Sequence, residues 1–257
     1  MEHLTLSNKS NSIIDNTGRI LVILQPALVA LAMSPLHQSP YTLPKMLLAS
    51  FIPLVFLLPL LAVRMISDRE ERRNLLGPFD LPFLALFVWM TFASLFSLRW
   101  APAFDRIVLY FSAWVLWKSA RLFLRARRDQ VLALITLAVA GSVLAVWTLF
   151  QAASGQSLMP ASFGNRNLTA QFLLLPFACL LPFAGRPGLT SSGAKRWLVW
   201  MVLIIIGVAL GIIHSLGALL GAALALGSVC IAWQLRDRWP VNLTRWQGRL
   251  LMLFFFL

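Results

Sequence analysis

Charge is scarce in this chain. Asp, Glu, Lys and Arg make up 12% of its 257 residues, whereas a soluble domain carries about 25%. That scarcity excludes an ordinary water-soluble surface. Acids are scarcer than bases, nine against 22 Lys and Arg. No carboxylate falls at the middle of a predicted helix, and this argues against a proton-coupled pump or transporter, which usually buries an acid there. The two cysteines, Cys179 and Cys230, both fall inside predicted helices. They read as small packed thiols, so a disulfide framework is excluded. No metal motif, phosphate loop or internal repeat is present, and neither a metal nor a cofactor is expected.

Apolar sequence is what the chain has in abundance: 59% of its residues are hydrophobic and the mean hydropathy is +0.79. Its runs are the length a bilayer demands, roughly 20 apolar residues per helix. The pattern predicts helices over Ile20–Met33, Met46–Val63, Leu81–Leu98, Ile107–Trp117, Val131–Phe150, Leu168–Ala184, Trp197–Ile213 and Leu216–Trp233. A ninth begins near Arg249 and is still apolar at Leu257. The run from Trp197 to Trp233 is too long for one crossing, so it divides at the polar pair His214–Ser215. Pro53, Pro59, Pro176 and Pro182 fall within spans, where neighbouring groups can satisfy the freed backbone. The expected fold class is all-α: a polytopic membrane helix bundle of about eight transmembrane helices plus the start of a ninth. Residues 1–19 form a cytoplasmic segment and residues 20–257 the bundle.

Basic residues test that topology, because cytoplasmic loops hold the excess Lys and Arg. With the N-terminus inside, only Lys45, Arg99, Arg106 and Arg166 of the 22 fall outside. The +13 net charge is then an orientation signal. It is dealt out loop by loop, which argues against a nucleic-acid partner. Asp80 and Asp129 fall in inward loops among Arg residues. Trp89, Trp100, Trp114, Trp117, Trp197, Trp200, Trp233 and Trp239 cluster near predicted helix ends, as an interfacial belt would, with each indole N–H seeking a wet partner. The spacings Gly207-x-x-x-Gly211 and Gly217-x-x-x-Gly221 fit close helix packing.

Two polar stretches stand out. Gly164-Asn165-Arg166-Asn167 follows the fifth predicted helix and leads into the sixth, on the outward side. A guanidinium offers a planar fork suited to phosphate, and a helix N-terminus favours anions. Together these residues make an anion or sugar-phosphate cradle; the plainer reading is a helix cap with an interfacial arginine. His214-Ser215 forms the outward turn between the seventh and eighth helices. His214 could transfer a proton or bind phosphate, or simply end a helix in a wet turn.

The run Phe163-Gly164-Asn165-Arg166-Asn167-Leu168-Thr169-Ala170-Gln171 resembles the G-N-x-N-x-x-A motif of the bacterial O-antigen ligase and O-antigen polymerase superfamily. Ser215-Leu216-Gly217-Ala218-Leu219-Leu220-Gly221 is similar to that family's Ser-Arg-Gly-Ala-x-x-Gly turn, with Leu216 where the family has arginine. The motif-bearing resemblance covers residues 131–233. It implies a metal-independent glycan transferase of the bacterial inner membrane. Such an enzyme takes a sugar chain from an undecaprenyl-diphosphate carrier at the periplasmic face and passes it to a lipid, glycan or protein acceptor. By resemblance Gly164, Asn165, Arg166, Asn167, His214 and Ser215 are the substrate-binding candidates. The family's catalytic His lies on a later periplasmic loop, so the chain reads as the N-terminal portion of such an enzyme, with its catalytic residues unknown. A carrier for a lipid or sugar and a non-catalytic membrane subunit stay open beside it.

Overall fold

The computed structural model describes residues 2–32, 42–67, 80–96, 100–155, 161–163, 165–184 and 193–236. Every regular element among them is helical: α1 (Glu2–Leu31), α2 (Thr42–Phe51), a π-helical turn (Ile52–Leu57), α3 (Leu58–Ser67), α4 (Asp80–Leu95), α5 (Trp100–Phe123), α6 (Arg127–Ala153), a 3-10 turn (Ala161–Phe163), α7 (Arg166–Ala184), α8 (Gly193–Ile213) and α9 (Leu216–Arg236). Five stretches are long and apolar enough to cross a membrane: Ser12–Leu31, Pro44–Ser67, Arg127–Ala153, Arg166–Ala184 and Arg196–Ile213. Two shorter apolar helices, Asp80–Leu95 and Leu216–Ile231, accompany them. Each of the eight expected spans falls on a helix among the described residues, and five meet the length and composition of a crossing. The ninth, near Arg249, lies outside the described residues. Residues 2–19 are helical and continuous with the first span.

The second span shows how proline is accommodated. The ring of an internal proline clashes with the carbonyl four residues back and removes a donor. Between Pro53 and Pro59 the helix widens into the π-turn, and the Leu58 N–H donates to the Pro53 carbonyl, one residue further back than usual.

The chain divides into two compact units, Met1–Ala140 with Ser162–Gly164, and Gly141–Ala161 with Asn165–Leu257. In the first, Val22, Ile52, Leu57, Val115 and Phe123 form the core. Gly18 lets α1 close on α5: a Cβ there would lie 2.6 Å from the Phe123 ring.

Four ion pairs tie this unit together. Arg19 meets Asp129 at 3.3 Å, Arg64 meets Asp15 at 3.3 Å, and Asp80 receives Lys118 and, at 3.7 Å, Arg121. They join α1, α3, α4, α5 and α6 at one end. Lys45 marks the opposite end of α1, roughly 20 Å away at 1.5 Å per residue. There its ammonium donates to the carbonyls of Val29, Ala30 and Ala32 at 2.9, 2.7 and 2.9 Å. These contacts sort the residues by end as the charge count does: Arg19, Arg64, Lys118 and Arg121 together, Lys45 apart.

Two expectations are corrected here. Asp80 is fully buried, and Asp129 is 7% exposed. Each lies in the first turn of a helix and holds a cation, so neither belongs to a loop. The indole nitrogens of Trp114 and Trp117 are buried without a hydrogen-bond partner among the described residues. Trp114 instead stacks on Phe111 and lies beneath the Lys118 ammonium, so packing and not a wet interface holds it.

In the second unit α7 is the central helix. Its buried residues Thr169, Ala170, Leu173, Pro176, Phe177, Leu180, Leu181 and Ala184 recur at helical spacing. Gly141 admits the Pro176 ring, its notional Cβ falling 2.7 Å from Pro176 Cγ. Gly221 approaches Leu174, and Gly207 meets Phe177 at 3.7 Å. Gly211 and Gly217 face open space. The two glycine spacings therefore do not act as pairs: one member of each serves packing.

Candidate functional site

α7 begins where the polar motif predicts. The Asn165 carbonyl accepts from the Thr169 N–H at 3.1 Å and from the Thr169 hydroxyl at 3.3 Å. Its side-chain Oδ1 accepts from the Asn167 N–H at 2.9 Å. Asn165 is thus the N-cap of α7, the role short polar side chains fill because the first N–H groups of a helix lack partners. The cap occupies the amide oxygen, leaving the NH2 group as the free donor. Arg166 and Asn167 occupy the first turn, both exposed. Among the described residues the Arg166 guanidinium has no hydrogen-bond or ion-pair partner. It is exposed in the first turn of a helix, at the positive end of the dipole, a placement suited to an anion. Gly164 lies outside the described residues.

Phe163 stands just before this motif, with the Lys45 ammonium 4.2 Å from its ring centroid. The same ammonium holds the end of α1, so one lysine contacts both the α1 terminus and Phe163. Further back, Gln151 Oε1 accepts from the Ala161 N–H at 2.6 Å. Ala161 has φ +47°, strained for a residue with a Cβ.

His214 and Ser215 occupy the turn between α8 and α9. His214 is exposed, with φ +51°, and its N–H donates to the Gly211 carbonyl at 3.3 Å. A histidine tolerates this left-handed position better than most side chains, and here it ends α8. Ser215 is 8% exposed, and its carbonyl accepts from the Leu219 N–H at 2.9 Å, which opens α9. The plainer reading of each motif, cap and terminator, is what the backbone shows. Arg166, Asn167 and the His214 ring remain available to a ligand.

The two motifs share one end of the second unit. Helices joined by short connections run antiparallel, so α7 and α9 run the same way. Gly221 near the start of α9 meets Leu174 in the first half of α7, which places the two helix starts at similar levels. No hydrogen bond or ion pair among the described residues joins one motif to the other. Two apolar hollows, on α4 around Trp89 and on α6 around Trp147, are lined by none of the candidate residues. The candidate site is an exposed rim at a helix-bundle end. Among the described residues no group of three or more His, Cys, Asp or Glu is placed to hold a metal.

Sequence reasoning missed two clusters. By sequence Lys45 is only an outward loop charge. A lone lysine at the start of an apolar run is the signal that could have drawn attention to it. The Asp80–Lys118 pair spans 38 positions and leaves no local trace. No protein-family model, curated protein or solved structure matches the chain.

Proposed function

We propose that the chain is a membrane glycan transferase, or part of one, similar to the O-antigen ligases and polymerases, acting on undecaprenyl-diphosphate-linked glycan. In this reading about eight helices cross the bacterial inner membrane, the N-terminus lies in the cytoplasm, and the α7 start faces the periplasm. The observation that carries it is the exposed, unpartnered Arg166 guanidinium at a capped helix N-terminus, within a G-N-x-N-x-x-A run. Arg166, with the amides of Asn165 and Asn167, binds the carrier diphosphate. The acceptor hydroxyl attacks the anomeric carbon, the bond from that carbon to the carrier diphosphate breaks, and the hydroxyl proton passes to a base. His214 is the described imidazole at this end.

Arg166→Ala tests this in a strain lacking its own ligase or polymerase. Loss of a charge-assisted contact worth about 1.5–3 kcal/mol lowers glycan transfer by roughly 10- to 100-fold. Undiminished transfer by the variant removes Arg166 from the mechanism. A second reading is a lipid or sugar carrier, which shares the helical, apolar form of the chain. A carrier would move its cargo across vesicles without forming a new glycosidic bond.

A further inference from the structure

We propose that the turn between α5 and α6 binds an anionic phospholipid, its phosphate held by Arg127 and Arg128 and its acyl chain laid along the exposed face of α6. The inference is independent of the transfer reaction.

It starts from unbalanced charge. At this end of the first unit Asp15 is engaged by Arg64, Asp129 by Arg19, and Asp80 by Lys118 and Arg121. Arg127 and Arg128 add two more guanidiniums, both exposed. Arg127 and Arg128 have no ion-pair or hydrogen-bond partner among the described residues. The segment after α3 adds no net negative charge, Asp68, Glu70 and Glu71 being matched in number by Arg69, Arg72 and Arg73.

Apolar exposure indicates which anion fits. Val131 and Leu132 lie one turn beyond the two arginines, and Ile135 and Val139 continue that face. Their exposures are 41%, 41%, 55% and 57%. A guanidinium pair heading an exposed apolar stripe matches a phosphate attached to an acyl chain. A soluble phosphate would use only the pair, and a nucleic acid would gain nothing from the stripe. Basic residues beside a membrane span attract anionic headgroups in this way.

The test uses the full chain purified in mild detergent, with lipid retention read by native mass spectrometry. The probes are dioleoylphosphatidylglycerol, dioleoylphosphatidylcholine and inorganic phosphate. The expected result is retained phosphatidylglycerol, little phosphatidylcholine, and no competition from millimolar phosphate. Arg127→Gln with Arg128→Gln weakens phosphatidylglycerol binding roughly 25-fold, about fivefold per guanidinium, and leaves phosphatidylcholine unaffected. Arg128→Gln alone gives the single step if the double variant does not fold. Arg127→Lys with Arg128→Lys keeps most of the binding. Equal retention of the two lipids, full competition by phosphate, or unchanged phosphatidylglycerol binding in the glutamine variants overturns the proposal.

Discussion

Lys118→Met is expected to destabilise the first unit by about 3–5 kcal/mol, the cost of leaving one charge of a buried pair uncompensated. Asp80 is fully buried, and the Lys118 side chain is 7% exposed. Arg121 stands at 3.7 Å from the same carboxylate, but its side chain is 45% exposed, so it replaces only part of the lost interaction. Asp80→Leu should cost a similar amount, because it strands the ammonium instead. The double variant Asp80→Leu/Lys118→Met should recover most of the loss, since an apolar pair of similar volume removes both desolvation costs. Unfolding in lipid nanodiscs measures all three. Single variants as stable as the wild type would show that the pair is solvated and not buried.

Lys45→Met is the second large effect, at about 3 kcal/mol. The ammonium satisfies three carbonyls at the end of α1, all between 2.7 and 2.9 Å. Hydrogen bonds to a charged group contribute about 1.5–3 kcal/mol each at most, and part is regained because methionine needs no desolvation. The loss is felt more strongly in a bilayer, where water cannot replace the donor. Hydrogen exchange provides the local readout. Amides in the last turn of α1 should exchange faster in Lys45→Met than in wild type, while those around Val115 stay protected. Uniform acceleration would mean that Lys45 supports the whole unit and not this helix end. Its contact with Phe163 makes the turn at Phe163 the second place to look.

The sequence carried the helices well, for a physical reason. Spans are set by local apolar runs and their polar punctuation, so the break at His214–Ser215 and the start of α7 after Asn165 were both readable from adjacent residues. Charge placement sorted Arg19, Arg64, Lys118 and Arg121 from Lys45, as the ion pairs do. What was not legible depends on residues far apart. Asp80 and Lys118 meet across 38 positions, and nothing near Asp80 distinguishes a buried carboxylate from a loop one. Trp114 and Trp117 have the composition of an interfacial belt, yet their indole nitrogens are buried, and Trp114 stacks on Phe111. Glycine spacing says where close approach is allowed, not which glycine uses it, so Gly207 and Gly221 pack while Gly211 and Gly217 stand open. At the site, residue identities named Arg166 and Asn167 as exposed donors. Only the structure showed that the Asn165 oxygen is committed to the cap.

Photo-crosslinking tests the central claim, that the α7 start receives the carrier diphosphate. A photoreactive phenylalanine analogue replaces Leu168 or Gln171, both exposed beside the motif, and for reference Ile204, exposed on α8. Labelled undecaprenyl-diphosphate-linked glycan is then offered to the chain in nanodiscs. Strong labelling at 168 and 171 that falls with Arg166→Ala, and weak labelling at 204, is the expected result. Labelling at 168 and 171 no greater than at 204, or unaffected by Arg166→Ala, would contradict it.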